Sequence, residues 1–255
     1  MKSKFLPIAV ILLFLAGAMA GCTDEKDKKK TITISAAASL SDVLKETADA
    51  YQKEHKNEKI VFNFGGSGAL SQQIIHGAPV DLFISAAKQP VDLIKDKGLT
   101  ASEEAFFKNK LVLIVPKAAG NKQINFSNLD SGNVKKIAIG TPEAVPAGTY
   151  AKETLESLNK WGSLKEKLVY CKDVRQVLQY VESNNVDAGL VYYTDAITSK
   201  KVKVVSEAED SWHQPIVYYT SIISDGKNRN EASGFLEFMK SEKAKSIFEG
   251  YGFSY

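Results

Sequence analysis

The chain has 255 residues, enough for one large domain or two small ones with proper cores. Its 44% hydrophobic and 25% charged content is ordinary for a soluble globular protein. Six of the 33 basic and three of the 30 acidic residues lie within residues 1–30, so the remainder carries 27 of each, is formally neutral and offers no basic footprint for nucleic acid.

The N-terminus reads as an address rather than as part of the fold. Met1-Lys2-Ser3-Lys4 is short and basic, and residues 5–20 are apolar, uncharged and end in small residues. That is the pattern of a secretory signal peptide, and the run falls short of the ~20 residues a spanning helix needs. Ala20-Gly21-Cys22 resembles the bacterial lipoprotein cleavage box, with Met19 where Leu is usual. The resemblance implies that Cys22 becomes the N-terminus and carries a diacylglyceryl group. The segment TDEKDKKK behind it is polar and charged, a flexible tether. The expectation is a signal peptide over 1–21, a lipidated Cys22 and tether over 22–30, and a folded part outside the cytoplasm, attached to the cell membrane at Cys22.

From residue 31 onward strands and helices alternate. The β-branched run Thr31-Ile32-Thr33-Ile34 predicts a strand, and Leu40, Leu44, Ala48 and Tyr51 follow at helical spacing. Residues 60–64 read as a strand, GGSGAL (65–70) as a turn into a helix through 75, and 81–85 as a strand. Pro90 opens and Gly98 stops a helix, and 111–115 is a strand closed by Pro116. The middle repeats the theme with strand 136–139, helix 147–159, strand 168–171, helix 174–183 and strands 187–192 and 202–205. Residues 216–224 are extended, and two helices close the chain from 230.

This alternation predicts an α/β fold with mainly parallel sheets flanked by helices. Extended runs at 110–116 and 215–224 bracket the middle block, and the closing helices have no later strand of their own. The expected architecture is two lobes, 31–110 with 215–255 and 111–214, joined by two crossing strands around a cleft.

Few residues carry obvious chemistry. Cys171 lies in the run Leu168-Val169-Tyr170-Cys171 and reads as a small buried hydrophobe. His55, His76 and His213 are far apart and lack metal-ligand spacing. Four turns share one design, each opening a helix with small or capping residues after a strand. They are Ala38-Ser39-Leu40-Ser41-Asp42, with Ser39 and Asp42 at capping-box spacing; Gly65-Gly66-Ser67-Gly68; Val145-Pro146-Ala147-Gly148; and Asp173-Val174-Arg175, with Asp173 as N-cap. Helix N-termini present unpaired N–H groups and the positive end of the dipole, and small residues let a ligand reach that backbone. In an open α/β sheet such turns lie at the carboxyl ends of strands, where ligands bind.

Singly, each turn has a bland reading. Ser39 is a cap, GGSGAL lacks the Gly-Lys-Ser/Thr ending of a nucleotide loop, VPAG is a common helix start, and Tyr192 is a core residue at a strand end. Together they make an anion site without a fixed cation.

The combination resembles a known family. AAASL (36–40), GGSGAL (65–70), GAPVDLFISA (77–86), VPAGTYAKE (145–153), DVRQVL (173–178), GLVYYTDA (189–196) and IFEGYGF (247–253) follow, in order, the pattern of the molybdate-binding proteins of bacterial ABC importers. The resemblance covers nearly all of residues 31–255 and implies the type II periplasmic-binding-protein fold. It implies a tetrahedral oxyanion held by donors only: the hydroxyl and N–H of Ser39 and of Ser67, the N–H groups of Ala147 and Val174, and the hydroxyl of Tyr192. Ser39 and Ser67 would come from the first lobe and the other three from the second. Ser67 is the one hydroxyl of its glycine-rich loop. Tyr193 stands beside Tyr192, and Tyr192 is the residue that aligns with the VY of the motif. No cofactor is implied, and molybdenum would enter only inside the oxyanion, without a protein ligand to the metal. The implied partners are the membrane subunits of an ABC permease and the membrane itself through the lipid anchor, with the protein a monomer.

The chemistry of the anion agrees with such a site. Molybdate at neutral pH is a dianion with four acceptor oxygens and no proton. Hydrogenphosphate brings a proton that a donor-only site leaves unmatched, at a cost of about 1–3 kcal/mol. Sulfate must be rejected on size, and tungstate is nearly as large as molybdate. The expected function is capture of molybdate, with tungstate beside it, for delivery to a permease, and no catalysis. The rivals are the same fold holding another oxyanion such as sulfate, a hydrolase using Ser39 or Ser67 as nucleophile, and the sensing domain of a transcription regulator. A serine nucleophile needs a base within reach, and Lys45 and Asp42 read as solvated helix residues. The signal peptide and the lack of a helix-turn-helix segment oppose a regulator.

Overall fold

The computed structural model describes residues 29–119 and 123–255. The expected signal peptide, Cys22 and most of the tether lie outside the described residues. Among the described residues no helix is long and apolar enough to cross a membrane.

The first lobe opens with β1 (Lys30–Ala37), a 3-10 turn (Ala38–Leu40) and α1 (Ser41–Glu54). It continues through β2 (Glu58–Gly65), α2 (Ser67–Ile75), β3 (Leu82–Ser85), α3 (Gln89–Lys95) and β4 (Thr100–Lys108). The chain then crosses over. The second lobe holds β5 (Leu111–Pro116), β6 (Ile137–Gly140), α4 (Pro146–Ser157), α5 (Trp161–Leu164) and β7 (Leu168–Cys171). It ends with α6 (Val174–Glu182), β8 (Ala188–Tyr192), α7 (Tyr193–Ile197) and β9 (Val202–Glu207). The chain returns through β10 (Val217–Ile223), and α8 (Arg229–Met239) and α9 (Glu242–Gly250) pack back onto the first lobe, against β10 and α1.

Each lobe is one five-stranded sheet, ordered β2-β1-β3-β10-β4 and β7-β6-β8-β5-β9. In the first, β1 runs parallel to β2 and β3, and β10 runs antiparallel to β3 and β4. In the second, β6 runs parallel to β7 and β8, and β5 runs antiparallel to β8 and β9. The expected mainly parallel sheets are thus present, each with one reversed strand. The reversed strands, β5 and β10, are the two that arrive from the other lobe, so the direction of the crossing sets their sense.

Burial follows from this layering. In β3, Leu82 and Ile84 join the core beneath α1 and α8, while Phe83 faces Leu70, Ile74, Val91 and Ile94 of α2 and α3. A strand with helices on both faces needs an unbroken apolar run, which is why LFIS shows no polar alternation. Asp81, just ahead of β3, is 4% exposed, and its carboxylate accepts the N–H groups of Thr33 and Asn228, both at 2.8 Å. It ties the entry of α8 to β1.

One strand has no counterpart in the sequence reading, and one sequence expectation needs correction. Residues 100–108, to which the sequence pattern assigns no element, form β4 at the sheet edge. Their sequence TASEEAFFK has little apolar alternation because an edge strand is half-solvated and tolerates charge. Ser39 was expected to cap α1 in a box with Asp42. The 3-10 turn instead carries the chain past Ser39 before α1 starts at Ser41, and the helix has no side-chain cap. The Ser39 hydroxyl is bonded to Tyr218, and Asp42 pairs with Arg175. The other expected N-cap, Asp173, accepts the N–H of Gln176 at 2.8 Å and does cap α6.

Candidate functional site

Where the two lobes meet, the carboxyl ends of β1, β2, β6, β7 and β8 point at one small cavity of about 10 Å³. Ser39, Ser67, Ala147, Val174 and Tyr192, the five residues singled out from the sequence, all line it. Tyr192 is 1% exposed and faces the cavity, whereas Tyr193 is 38% exposed and lies outside it.

The small residues around the cavity have a packing cause. A Cβ at Gly66 would stand 2.8 Å from the Ala144 carbonyl and 2.9 Å from that of Lys172, and one at Gly68 would stand 2.9 Å from the Ala144 carbonyl. The glycine-rich turn of the first lobe is therefore pressed against the backbone of the second. Gly68 N–H donates to the Ala144 carbonyl at 2.9 Å across the lobe boundary. Within the second lobe, a Cβ at Gly148 would meet the Gly140 carbonyl at 2.1 Å. That close approach lets α4 start directly above β6 and sets the Ala147 N–H at the cavity.

The donors differ in how they are held. Ser67, wholly buried, accepts the Ala86 N–H on its Oγ at 3.1 Å, which leaves its own hydrogen free for the cavity. The Ser39 Oγ lies 2.7 Å from the Tyr218 hydroxyl. The Tyr192 hydroxyl has no hydrogen-bond partner among the described residues. Burial pushes its phenol well above the ordinary tyrosine value, so it stays a protonated donor. Ala147 and Val174 lie in the first turns of α4 and α6, where backbone N–H groups have no intrahelical acceptor. No charged side chain lines the cavity. What converges there is a set of hydroxyl and backbone N–H groups that can donate hydrogen bonds to an anion.

Charged side chains stand behind this lining. Arg175 bridges the lobes: Nη2 stands 2.8 Å from Asp42 Oδ2 in the first lobe, and Nε stands 2.8 Å from Asp195 Oδ1 in the second, off the hydrogen-bonding line. Nη2 also donates to the Ser39 carbonyl at 3.4 Å. Burial pushes the Asp195 carboxyl up to about 7, and Arg175 pulls against that shift. Tyr150 adds another bridge, donating to the Ala86 carbonyl at 3.4 Å.

Residues set aside in the sequence stay apart from the cavity. Cys171 is buried, and burial pushes its thiol up to about 11. His55 stacks on Tyr51 with ring centroids 3.9 Å apart. Among the described residues no cluster of His, Cys, Asp and Glu could hold a metal ion. Sequence reasoning missed Tyr218, Asn109 and the bridging role of Arg175. Tyr218 lies 179 residues from Ser39 and sits in an ordinary strand pattern, so no local signal could join them.

Comparison with known proteins places these observations in a family context. The profile described as bacterial extracellular solute-binding protein matches residues 32–254. A putative ABC transporter substrate-binding lipoprotein, YvgL of Bacillus subtilis, is 48% identical over 254 residues, covering 97% of this chain and 96% of that one. The molybdate-binding protein ModA of Escherichia coli is 38% identical over 231 residues, 88% of each chain. Among solved structures, the substrate-binding domain of a putative molybdenum ABC transporter from Clostridium difficile superposes with a TM-score of 0.67 at 41% identity, covering 88% of this chain and 98% of that one.

Proposed function

Since this chain belongs to the bacterial extracellular solute-binding protein family, we propose that it captures molybdate, and tungstate beside it, and delivers the anion to an ABC permease. The observation that carries this reading is the convergence of hydroxyl and N–H donors from both lobes on one small cavity lined by no charged side chain. Ser39 and Ser67 bind from the first lobe, and Ala147, Val174 and Tyr192 from the second. The relatives named for molybdate and molybdenum support the choice of anion. No bond is made or broken in this function.

The lobes, 31–110 with 215–255 and 111–214, act as the two halves of a clamp. Only their approach brings both sets of donors to the same anion, so binding favours the closed form. Cys22 carries the lipid anchor that holds a monomeric protein at the outer face of the membrane, in keeping with the lipoprotein named in Bacillus subtilis.

A thermal-shift series with molybdate, tungstate, sulfate and phosphate tests the reading. A ligand that binds only the folded state raises the melting temperature by mass action. Molybdate and tungstate are expected to stabilise strongly, and sulfate and phosphate hardly at all. Stabilisation by phosphate alone would overturn the proposal.

A further inference from the structure

A serine hydroxyl can donate or accept, so two serines in a cavity do not by themselves make a donor-only site. The bonds behind Ser39 decide which it does. The backbone N–H of Lys110 can only donate, and it reaches Asn109 Oδ1 at 2.9 Å. The other end of that amide is therefore the NH₂ group, whose hydrogens go to Thr194 Oγ1 at 2.8 Å and to the Tyr218 hydroxyl at 3.3 Å. An amide nitrogen cannot accept, so the Tyr218 oxygen is the acceptor of that bond. Its other partner among the described residues is Ser39 Oγ, at 2.7 Å, which receives the Tyr218 proton. Tyr218 is wholly buried, and burial holds its phenol protonated far above the usual range. Its ring is fixed among those of Phe107 and Phe253, with centroids 4.8 and 5.7 Å away. Ser39 thus accepts from Tyr218, and its own hydrogen, which cannot return along that bond, is left for the cavity.

We infer that Tyr218, oriented by Asn109, is a specificity-determining residue that compels Ser39 to act as a donor and so excludes oxyanions that carry a proton. This deepens the proposed function and rests on it. The two positions are well placed to do so. Asn109 lies between β4 and β5 on one crossing, and Tyr218 follows the other crossing in β10. The Asn109 N–H donates to the Ile216 carbonyl at 3.1 Å, joining the two crossings. Ser67 obtains the same polarity from the main chain, through the Ala86 N–H. Ser39 is therefore the serine whose direction a side-chain substitution can release.

The test is competition calorimetry with molybdate and inorganic phosphate at pH 7, on wild type, Tyr218→Phe, Asn109→Ala, Ser39→Ala and the Tyr218→Phe/Ser39→Ala pair. Tyr218→Phe keeps the ring and frees Ser39 to accept, so the preference for molybdate over phosphate is expected to fall about tenfold, the scale set by one unmatched buried proton. Asn109→Ala should shift the preference in the same direction by less, and it carries the test if Tyr218→Phe does not fold. In the Ser39→Ala background the Tyr218→Phe effect should vanish, which a merely structural role for Tyr218 would not produce. Unchanged preference in a folded Tyr218→Phe or Asn109→Ala protein, or an undiminished effect without Ser39, would overturn the inference while wild-type molybdate binding stands. Failure of wild type to bind molybdate would overturn the function and the inference together.

Discussion

Ser39 and Tyr192 face the same cavity from opposite lobes, and their settings are opposite. The Ser39 hydroxyl is embedded in a chain of bonds running through Tyr218 and Asn109 to Thr194. The Tyr192 hydroxyl is equally buried but has no partner among the described residues. A buried polar group normally finds a partner, and leaving it alone costs stability. In the proposed site the first lobe would thus offer a donor held in direction by the fold, and the second a donor left unpaired until the anion arrives.

The largest effect that would sharpen this contrast lies in the backbone of the second lobe. Gly148→Ala forces a Cβ to within 2.1 Å of the Gly140 carbonyl. It should destabilise the protein by about 3 kcal/mol, the upper end for overpacking, and displace the Ala147 N–H. Urea unfolding and molybdate titration should both register the change; an unaltered midpoint would show that α4 does not need this contact.

Next come the two hydroxyls themselves. Ser39→Ala and Tyr192→Phe should each weaken molybdate binding by about 2 kcal/mol, within the range for a hydrogen bond to a charged group. Their stabilities should part. Ser39→Ala strands the Tyr218 proton and should lower the ligand-free melting temperature. Tyr192→Phe removes an unpartnered polar atom and should hold or raise it. Equal stability losses in the two variants would break the comparison.

Smaller effects belong to the bridge around the cavity. Asp42→Asn removes one partner of Arg175 at a partly exposed position. A loss of about 0.5 kcal/mol in molybdate binding is expected, shrinking further at high salt, as for other surface ion pairs. A salt-independent loss would mean that the pair acts through shape rather than charge. The faintest signal is the pH response of Asp195. A carboxyl raised to about 7 in the folded state, against about 4 unfolded, stabilises the fold fully below the unfolded value and loses that contribution as pH rises through the folded one. Asp195→Asn should therefore flatten the decline in stability between about pH 4 and 7. A steeper decline in the variant would reverse the sign assigned to the burial of Asp195.

Much of this arrangement was legible in the sequence. The alternation of strands and helices from residue 31 gave the two sheets and both crossings, because strands covered on both faces, such as LFIS, are continuous apolar runs. The turns after β1, β2, β6 and β7 were visible as small or capping residues at helix starts. The strand β4 was not, since its edge position leaves TASEEAFFK without a core-facing pattern. The glycines of GGSGAL were visible, but their cause was not. They make room for carbonyls at Ala144 and Lys172, roughly eighty to a hundred residues further on, as well as for a ligand. Ser39 shows the limit most clearly. Its spacing to Asp42 suggested a local cap, yet its partner is a tyrosine 179 residues away. Local spacing reports on local bonds, and the direction of a buried hydroxyl is set by whatever the fold brings beside it.

The most direct test of the central claim, that donors alone from both lobes hold the anion, is calorimetric titration of the wild-type protein at pH 7 with molybdate and then with phosphate. One-to-one, saturable binding of molybdate with no competition from phosphate is the expected result. Phosphate binding as tight as molybdate, or no molybdate binding at all, would contradict it.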